Sequence, residues 1–263
     1  MSRVAALYRY PVKGLTPESC ESLEVLPEGR IAGDRALAFR FADSGLPPHA
    51  WSRKYGYAVL VNTPGLAKLA ARFDPQSRRL RIAHGDVVLA DEAIDGEGRE
   101  KLAAAVERYV LSLADNPLSG HHERLPLQLI GDGVTPRYQD SESGQVTLHS
   151  RSSVAALGHA LGDAALDETR FRSNIAIEGV PAWTENEWIG RRLRIGEVEL
   201  EAVKDKVRCL ATHANPKTGE RDLPVMQTLT RAFAQAQPTL AIGLLTRGAG
   251  GTIRLGDPVT VLD

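Results

Sequence analysis

The chain has 263 residues, of which 43% are hydrophobic and 25% charged, an ordinary globular composition with room for one large or two modest cores. A formal net charge of -1 gives no sign of a general nucleic-acid or acidic-membrane partner, so any basic site must be local. Two cysteines, Cys20 and Cys209, are too few for a disulfide scaffold and fit a reducing compartment. No apolar run reaches membrane-spanning length and the first residues lack a long apolar leader, so the expectation is a cytoplasmic protein with no membrane partner.

In chain order, Val4 to Tyr10 reads as a strand stopped by Pro11, followed by an exposed turn at Lys13 and Gly14. Ser22 to Leu26 is a second strand, and Gly33-Asp34-Arg35 leads into a third from Ala36 to Phe41. Trp51-Ser52-Arg53-Lys54 precedes a strand expected over Tyr57 to Val61. A short helix is expected over Leu66 to Ala71, and a hairpin from Arg79 to Ile82 and Val87 to Ala90 around His84-Gly85-Asp86. Glu97 to Leu113 places Leu102, Val106, Tyr109, Val110 and Leu113 on one helical stripe, a core-facing helix with no chemistry assigned to it. The polar stretch Asp115 to Arg124, including His121 and His122, breaks the pattern and reads as solvated loop or linker.

Beyond it, strands are expected over Leu127 to Ile130 and Val146 to His149, the latter ending at Ser150. Ser152 or Ser153 would cap a helix over Val154 to Leu161, whose N-terminus has free backbone N–H groups for an anion. Arg192 to Val203 reads as a hairpin turning at Gly196-Glu197, and Asp222 with Pro224 as the start of a helix over Val225 to Gln235. A closing β-ribbon pairs Leu240 to Thr246 with Thr252 to Leu255, and Val259 to Leu262 completes the chain. The fold class is therefore strand-dominated α+β, a small β domain followed by a barrel-like one with a few helices, with the boundary near residue 120.

The chemistry concentrates between Arg170 and Gly219. Written as a strand, RFRSNIAI puts Arg170, Arg172 and Asn174 on one face and Phe171, Ile175 and Ile177 on the other. Two guanidinium groups on a rigid element suit a phosphate or carboxylate, although a solvated face paired with surface carboxylates has the same pattern. Cys209 follows Lys204, Lys206 and Arg208, and cationic neighbours favour the thiolate that attacks electrophiles and binds soft metals. A lone cysteine is otherwise a small buried hydrophobe.

YPVKG at Tyr10 to Gly14, GDR at Gly33 to Arg35, RFRSNI at Arg170 to Ile175, RCLATHANPKTG at Arg208 to Gly219 and GDPV at Gly256 to Val259 stand in the order found in MOSC proteins with a MOSC N-terminal β-barrel domain. Over nearly its whole length the chain resembles that family, and within it the mitochondrial amidoxime-reducing component group with its bacterial relatives. The resemblance implies a MOSC N-terminal β-barrel-like domain at residues 1–120 and a MOSC β-barrel domain at residues 121–263. It implies the molybdenum cofactor, Mo-molybdopterin, with the Cys209 thiolate as metal ligand and catalytic group. Lys13, Arg35, Arg172 and Asn174 would hold its phosphate and pterin, with Arg208 of the Arg-Cys pair and Ser150 at the strand end.

The implied activity is reduction of N-hydroxylated small molecules (amidoximes, hydroxylamines, N-hydroxylated bases) by oxygen transfer to molybdenum. Two cysteines cannot ligate an ordinary iron–sulfur cluster and no dinucleotide fingerprint is present, so electrons are expected from a separate reductase of flavin, haem or ferredoxin type. The alternative is a molybdenum cofactor or sulfur carrier in which Cys209 holds a persulfide or the metal without substrate turnover. A further rival is nucleophilic chemistry with His213 as the base for Cys209. Two departures stand out. The family's Thr-Thr-Val-Asp-Pro is here Thr212-His213-Ala214-Asn215-Pro216, which puts the family's substrate range in question, and RFRPN has Ser173 in place of proline.

Overall fold

The structure, a computed structural model, describes residues 2–48, 50–52 and 54–262; Arg53 of the loop before Tyr57 lies outside them. In chain order the strands are β1 (Arg3–Arg9), β2 (Glu18–Cys20), β3 (Ser22–Val25), β4 (Leu37–Arg40), β5 (Leu69–Asp74), β6 (Arg79–His84) and β7 (Val87–Ala93). After helix α1 (Gly96–Leu111) come β8 (Gln128–Gly131), β9 (Val146–Ser150), helix α2 (Arg151–Leu161), β10 (Ile175–Glu178), β11 (Arg192–Ile195) and β12 (Val198–Val207). Helix α3 (Val225–Ala232) and strands β13 (Thr239–Thr246), β14 (Gly251–Arg254) and β15 (Val259–Leu262) complete the chain. The expected strand-dominated α+β class is what the chain adopts.

The expected barrel does not close. Eight strands form one sheet in the order β15-β11-β12-β13-β9-β10-β1-β2, with free edges at β15 and β2. The sheet curls far enough for a single bridge between Arg3 and Pro258 to draw β1 toward the start of β15, without forming a strand pair. The remaining strands pair as β14 with β3, β4 with β8, and β5-β6-β7. Among the described residues the buried apolar side chains gather in four clusters, two of them large. One contains Val12, Phe39, Leu69, Leu80 and Leu102; the other contains Leu7, Val25, Leu148, Leu200 and Ile242. The boundary expected near residue 120 falls in the loop after α1, while β1 and β3 contribute Val4, Leu7, Leu23 and Val25 to the later core.

Several local expectations change, each for a visible reason. Tyr57 to Val61 is not a strand: Tyr57 makes one bridge to Arg40, and the Asn62 side chain accepts from the Val59 N–H (2.9 Å) and donates to the Tyr57 carbonyl (2.9 Å), folding the segment into a turn. Leu66 to Ala71 is not a helix; a 3-10 turn at Pro64–Lys68 leads into β5, whose alternating Leu69, Ala71 and Phe73 are buried. The end of the chain is not a ribbon, because β14 pairs with β3 and β15 with β11. Ser150, rather than Ser152 or Ser153, caps α2 by accepting from the Ser152 N–H (3.1 Å). Asp222 does not cap α3, since its carboxylate is engaged by Arg170. The α1 stripe behaves as expected: Leu102, Val106 and Val110 are fully buried.

Candidate functional site

Cys209 lies just beyond β12, in extended backbone (φ -132°, ψ 178°), as the first residue before a 3-10 turn at Leu210–His213. Thr212 donates both its N–H (3.0 Å) and its hydroxyl (2.9 Å) to the Cys209 carbonyl, fixing the backbone that carries the sulfur. Cys209 lines a cavity of about 410 Å³ together with Arg35, Asp140, Arg172, Lys206 and Arg208.

The Arg-x-Arg face expected from strand periodicity is absent. Asp167 caps a 3-10 turn over Glu168–Phe171, Arg172 takes the left-handed conformation (φ 52°), and β10 begins only at Ile175. The two arginines therefore do different work. Arg170 is buried and grips Asp222 through both terminal nitrogens, 2.9 Å each, while also donating to the His213 carbonyl (3.2 Å). That clamp ties the Cys209 loop to the turn before β10. Arg172 donates one nitrogen to the Leu15 carbonyl (2.7 Å), and its other, buried Nη2 has no partner among the described residues.

Arg35 and Arg172 both lie over the ring of the fully buried Tyr10, at 4.6 and 4.3 Å from its centroid. Arg35 also donates to Asp34 (2.5 Å) and to the Arg172 carbonyl (2.9 Å). Arg208 is held by the carbonyls of Lys206 (2.9 Å) and Phe171 (2.8 Å). Burial, and then the neighbouring Arg35, push Arg172 down to about 10. Arg208 also falls to about 10, chiefly through burial. Lys206 falls to about 8 through burial and the charges of Arg208 and Lys204. A wall of cations this short of counter-charge is costly alone and is relieved by an anionic ligand.

A second, smaller chamber of about 40 Å³ adjoins Cys209 and shares Arg35, Asp140 and Arg172 with the larger cavity. Lys13, Lys54 and the apolar residues Val59, Leu60 and Val61 complete it. Lys13 is buried and donates to the Tyr138 carbonyl (2.7 Å) and to Asp140 (2.5 Å). Gly14, with φ +89°, lets the backbone at Ala58 and Val59 approach: a Cβ there would lie 3.0 Å from the Ala58 carbonyl oxygen. Burial alone would raise the Asp140 carboxyl, but the charges of Lys13, Arg35 and Lys54 hold it well below the usual carboxylate range.

Of the residues singled out in the sequence, Arg35, Arg172, Arg208 and Cys209 converge on the larger cavity, and Lys13 faces the adjoining chamber. Ser150 and Asn174 line neither. The backbone N–H of Ser150 donates to Glu185 (3.1 Å). Asn174 stitches strands together, donating to the Tyr8 carbonyl (3.2 Å) and accepting from the Thr147 hydroxyl (3.1 Å). His213 is turned to α3, its Nε2 accepting from the Met226 N–H (3.3 Å), which does not support a Cys209–His213 dyad. Asp140, Lys54 and the platform role of Tyr10 were not read from the sequence. Tyr10 opens the YPVKG motif, a signal that was available, whereas Asp140 sits in a polar loop with no pattern around it. Among the described residues no group of three or more His, Cys, Asp or Glu could hold a metal ion, so a metal at Cys209 would need ligands supplied by a cofactor.

Residues 135–260 match the family described as the MOSC domain. The chain is 33% identical over 144 residues to mitochondrial amidoxime-reducing component 1 of Danio rerio, covering 52% of this chain and 42% of that protein. Against the Homo sapiens protein of the same name it is 30% identical over 131 residues, covering 46% and 38%. A segment of 61 residues is 39% identical to the molybdenum cofactor sulfurase of Caenorhabditis elegans, 23% of this chain and 8% of that protein. The chain thus spans less than half the length of these curated relatives. The solved structure of the YUAD protein of Bacillus subtilis aligns over 99% of this chain and 96% of its own at a TM-score of 0.45 and 10% identity. No helix among the described residues is long and apolar enough to cross a membrane.

Proposed function

We propose that the protein binds the molybdenum cofactor in the larger cavity and reduces N-hydroxylated small molecules. The observation that carries this reading is a lone thiol, Cys209, set beside buried and incompletely paired guanidinium groups in a cavity large enough for an anionic cofactor. The residues fit the group: the free Nη2 of Arg172 and the side chains of Arg35 and Arg208 would hold phosphate and pterin oxygens, and Cys209 would give the metal its one protein thiolate. When bound, the cofactor supplies two-electron chemistry suited to removing oxygen from an N–O bond. The chain's own contribution is orientation and electrostatics. Tyr10 sets the two arginines, the Arg170–Asp222 clamp fixes the Cys209 loop, and Lys13 with Asp140 forms the wall of the adjoining chamber.

Electrons come, in this proposal, from a separate reductase of flavin, haem or ferredoxin type, in the cytoplasm. Residues 1–120 and 121–263 are proposed as the two domains, with the site between them, since Lys13 and Arg35 come from the first and Cys209 from the second. The second reading, a molybdenum cofactor or sulfur carrier, is favoured by the likeness to a molybdenum cofactor sulfurase. Molybdenum measured by elemental mass spectrometry, on protein from a host that makes the cofactor, tests the first reading. Near-stoichiometric metal in wild type, lost in Cys209→Ala, is expected. Wild type without molybdenum or oxidised pterin would sink it. Electron consumption that depends on an N-hydroxylated substrate, with a supplied reductase, separates reductase from carrier.

A further inference from the structure

We propose that Lys54 makes the small chamber beside Cys209 an anion-selecting subsite, so that the reacting centre takes small substrates bearing a negative charge in preference to cationic ones. The inference deepens the reading of Cys209 as the reaction centre and rests on it for the substrate class. Lys54 and Lys13 line this chamber and not the larger cavity, so their charges remain when an anionic group fills the larger cavity. Lys13 is already committed to Asp140 and to the Tyr138 carbonyl. Among the described residues that line the chamber, Asp140 is the one carboxylate, against Lys13, Arg35, Lys54 and Arg172.

With the larger cavity filled, Lys54 is the uncommitted cation among the described residues that line the chamber. Lys54 lines the same chamber as Cys209 and, unlike Lys13, makes no ion pair with a carboxylate among the described residues. The opposite wall is apolar, from Val59, Leu60 and Val61, and the space of about 40 Å³ admits a small group. With one apolar wall and few carboxylates nearby, Lys54 acts on a neighbouring charge with less screening than in bulk water. The substrate class that fits is a small N-hydroxylated compound carrying a carboxylate or another single negative charge.

The test uses metal-free protein and two alkylating reagents of similar size, anionic iodoacetate and neutral iodoacetamide. In each reaction the Cys209 sulfur forms a bond to the methylene carbon and iodide leaves. Both reagents need the thiolate, so the ratio of their rates cancels any change in thiolate population and reports the field in the chamber. Rates are read at Cys209 by peptide mass mapping, which keeps Cys20 separate. Relative to a free thiol, wild type is expected to favour iodoacetate. Lys54→Gln should lower the iodoacetate-to-iodoacetamide ratio by about fivefold or more, and Lys54→Arg should restore it. An unchanged ratio in Lys54→Gln, or an equal loss in Lys54→Arg, overturns the proposal. Because the protein is metal-free, the result stands apart from the molybdenum measurement: either reading can fail while the other is upheld.

Discussion

The Arg170–Asp222 clamp gives a quantitative expectation whose size depends on which partner is removed. The Arg170 side chain is 2% exposed and that of Asp222 is 31% exposed. Asp222→Asn keeps the shape but leaves a buried guanidinium without its counter-charge. Breaking a fully buried pair in this way costs about 3–5 kcal/mol, and the partial exposure on the Asp222 side brings the expectation to about 3 kcal/mol. Arg170→Met instead removes the buried charge, fills the space with apolar surface, and leaves Asp222 to water and to Asn215, which donates to it at 2.5 Å. That variant is expected to cost only about 1–2 kcal/mol, and the double variant about the same, so the two changes are strongly non-additive. Urea unfolding followed by tryptophan fluorescence measures all four proteins. The pH dependence is a second check. Burial alone would raise Asp222, but hydrogen bonds from Arg170 and Asn215 and the charge of Arg170 hold it below its ordinary 3.8. Its contribution is therefore fully present above that value and is lost as pH falls through the depressed one, and the loss should be shallower in Arg170→Met. Arg170→Met costing more than Asp222→Asn, or additive losses, would refute the account of the clamp.

Two other expectations follow from the same accounting of charge. Arg172→Met removes a guanidinium that burial has pushed down to about 10 and that carries an unpartnered Nη2; the metal-free variant should unfold at a urea concentration equal to or above wild type, while its molybdenum content falls. Glu168 accepts from Tyr8 (2.8 Å) and Arg151 (2.9 Å) and meets His149 Nε2 at 3.3 Å. Burial alone would raise it, yet these hydrogen bonds bring it to about 2 from 4.5. Glu168→Gln should then lose about 2–3 kcal/mol at neutral pH, a difference that shrinks as pH falls from 4.5 through about 2, read by denaturant titrations at several pH values.

What could be read from the sequence was largely what depends on short-range pattern. The β11–β12 hairpin and its Gly196 turn, the α1 stripe and the Cys209 segment all follow from periodicity or from residue types that carry their own chemistry. The Arg170 face failed because period-two spacing cannot register the Asp167 cap, which turns the chain at the point where a strand was expected. Pairing partners failed for a different reason: nothing near Thr252 indicates that β3, not β13, lies beside it. The arginines and the thiol that line the larger cavity were legible because residue types suited to an anion and a soft metal stand out in a sequence. Lys54 and Asp140 were not, since a single charge in a polar loop looks the same in sequence whether or not it lines a chamber. Ser150 and Asn174 line neither cavity; the Ser150 hydroxyl accepts from the Ser152 N–H and the Asn174 amide donates to the Tyr8 carbonyl, bonds internal to the fold.

The β3–β14 ladder, in which Ser22 meets Arg254 and Val25 meets Gly251, has a consequence for how the molecule comes into being. Pairing of residues so distant in sequence requires closing a very long loop before any contact rewards it, which slows folding and delays it until the far strand exists. Arg3 likewise waits for Glu178 in β10. The walls that carry Lys13 and Arg35 therefore meet the wall that carries Cys209 only late in assembly. On the proposed function, a bulky anionic cofactor would be admitted by a nearly finished protein, so folding of the chain and completion of the site would be separate events in time.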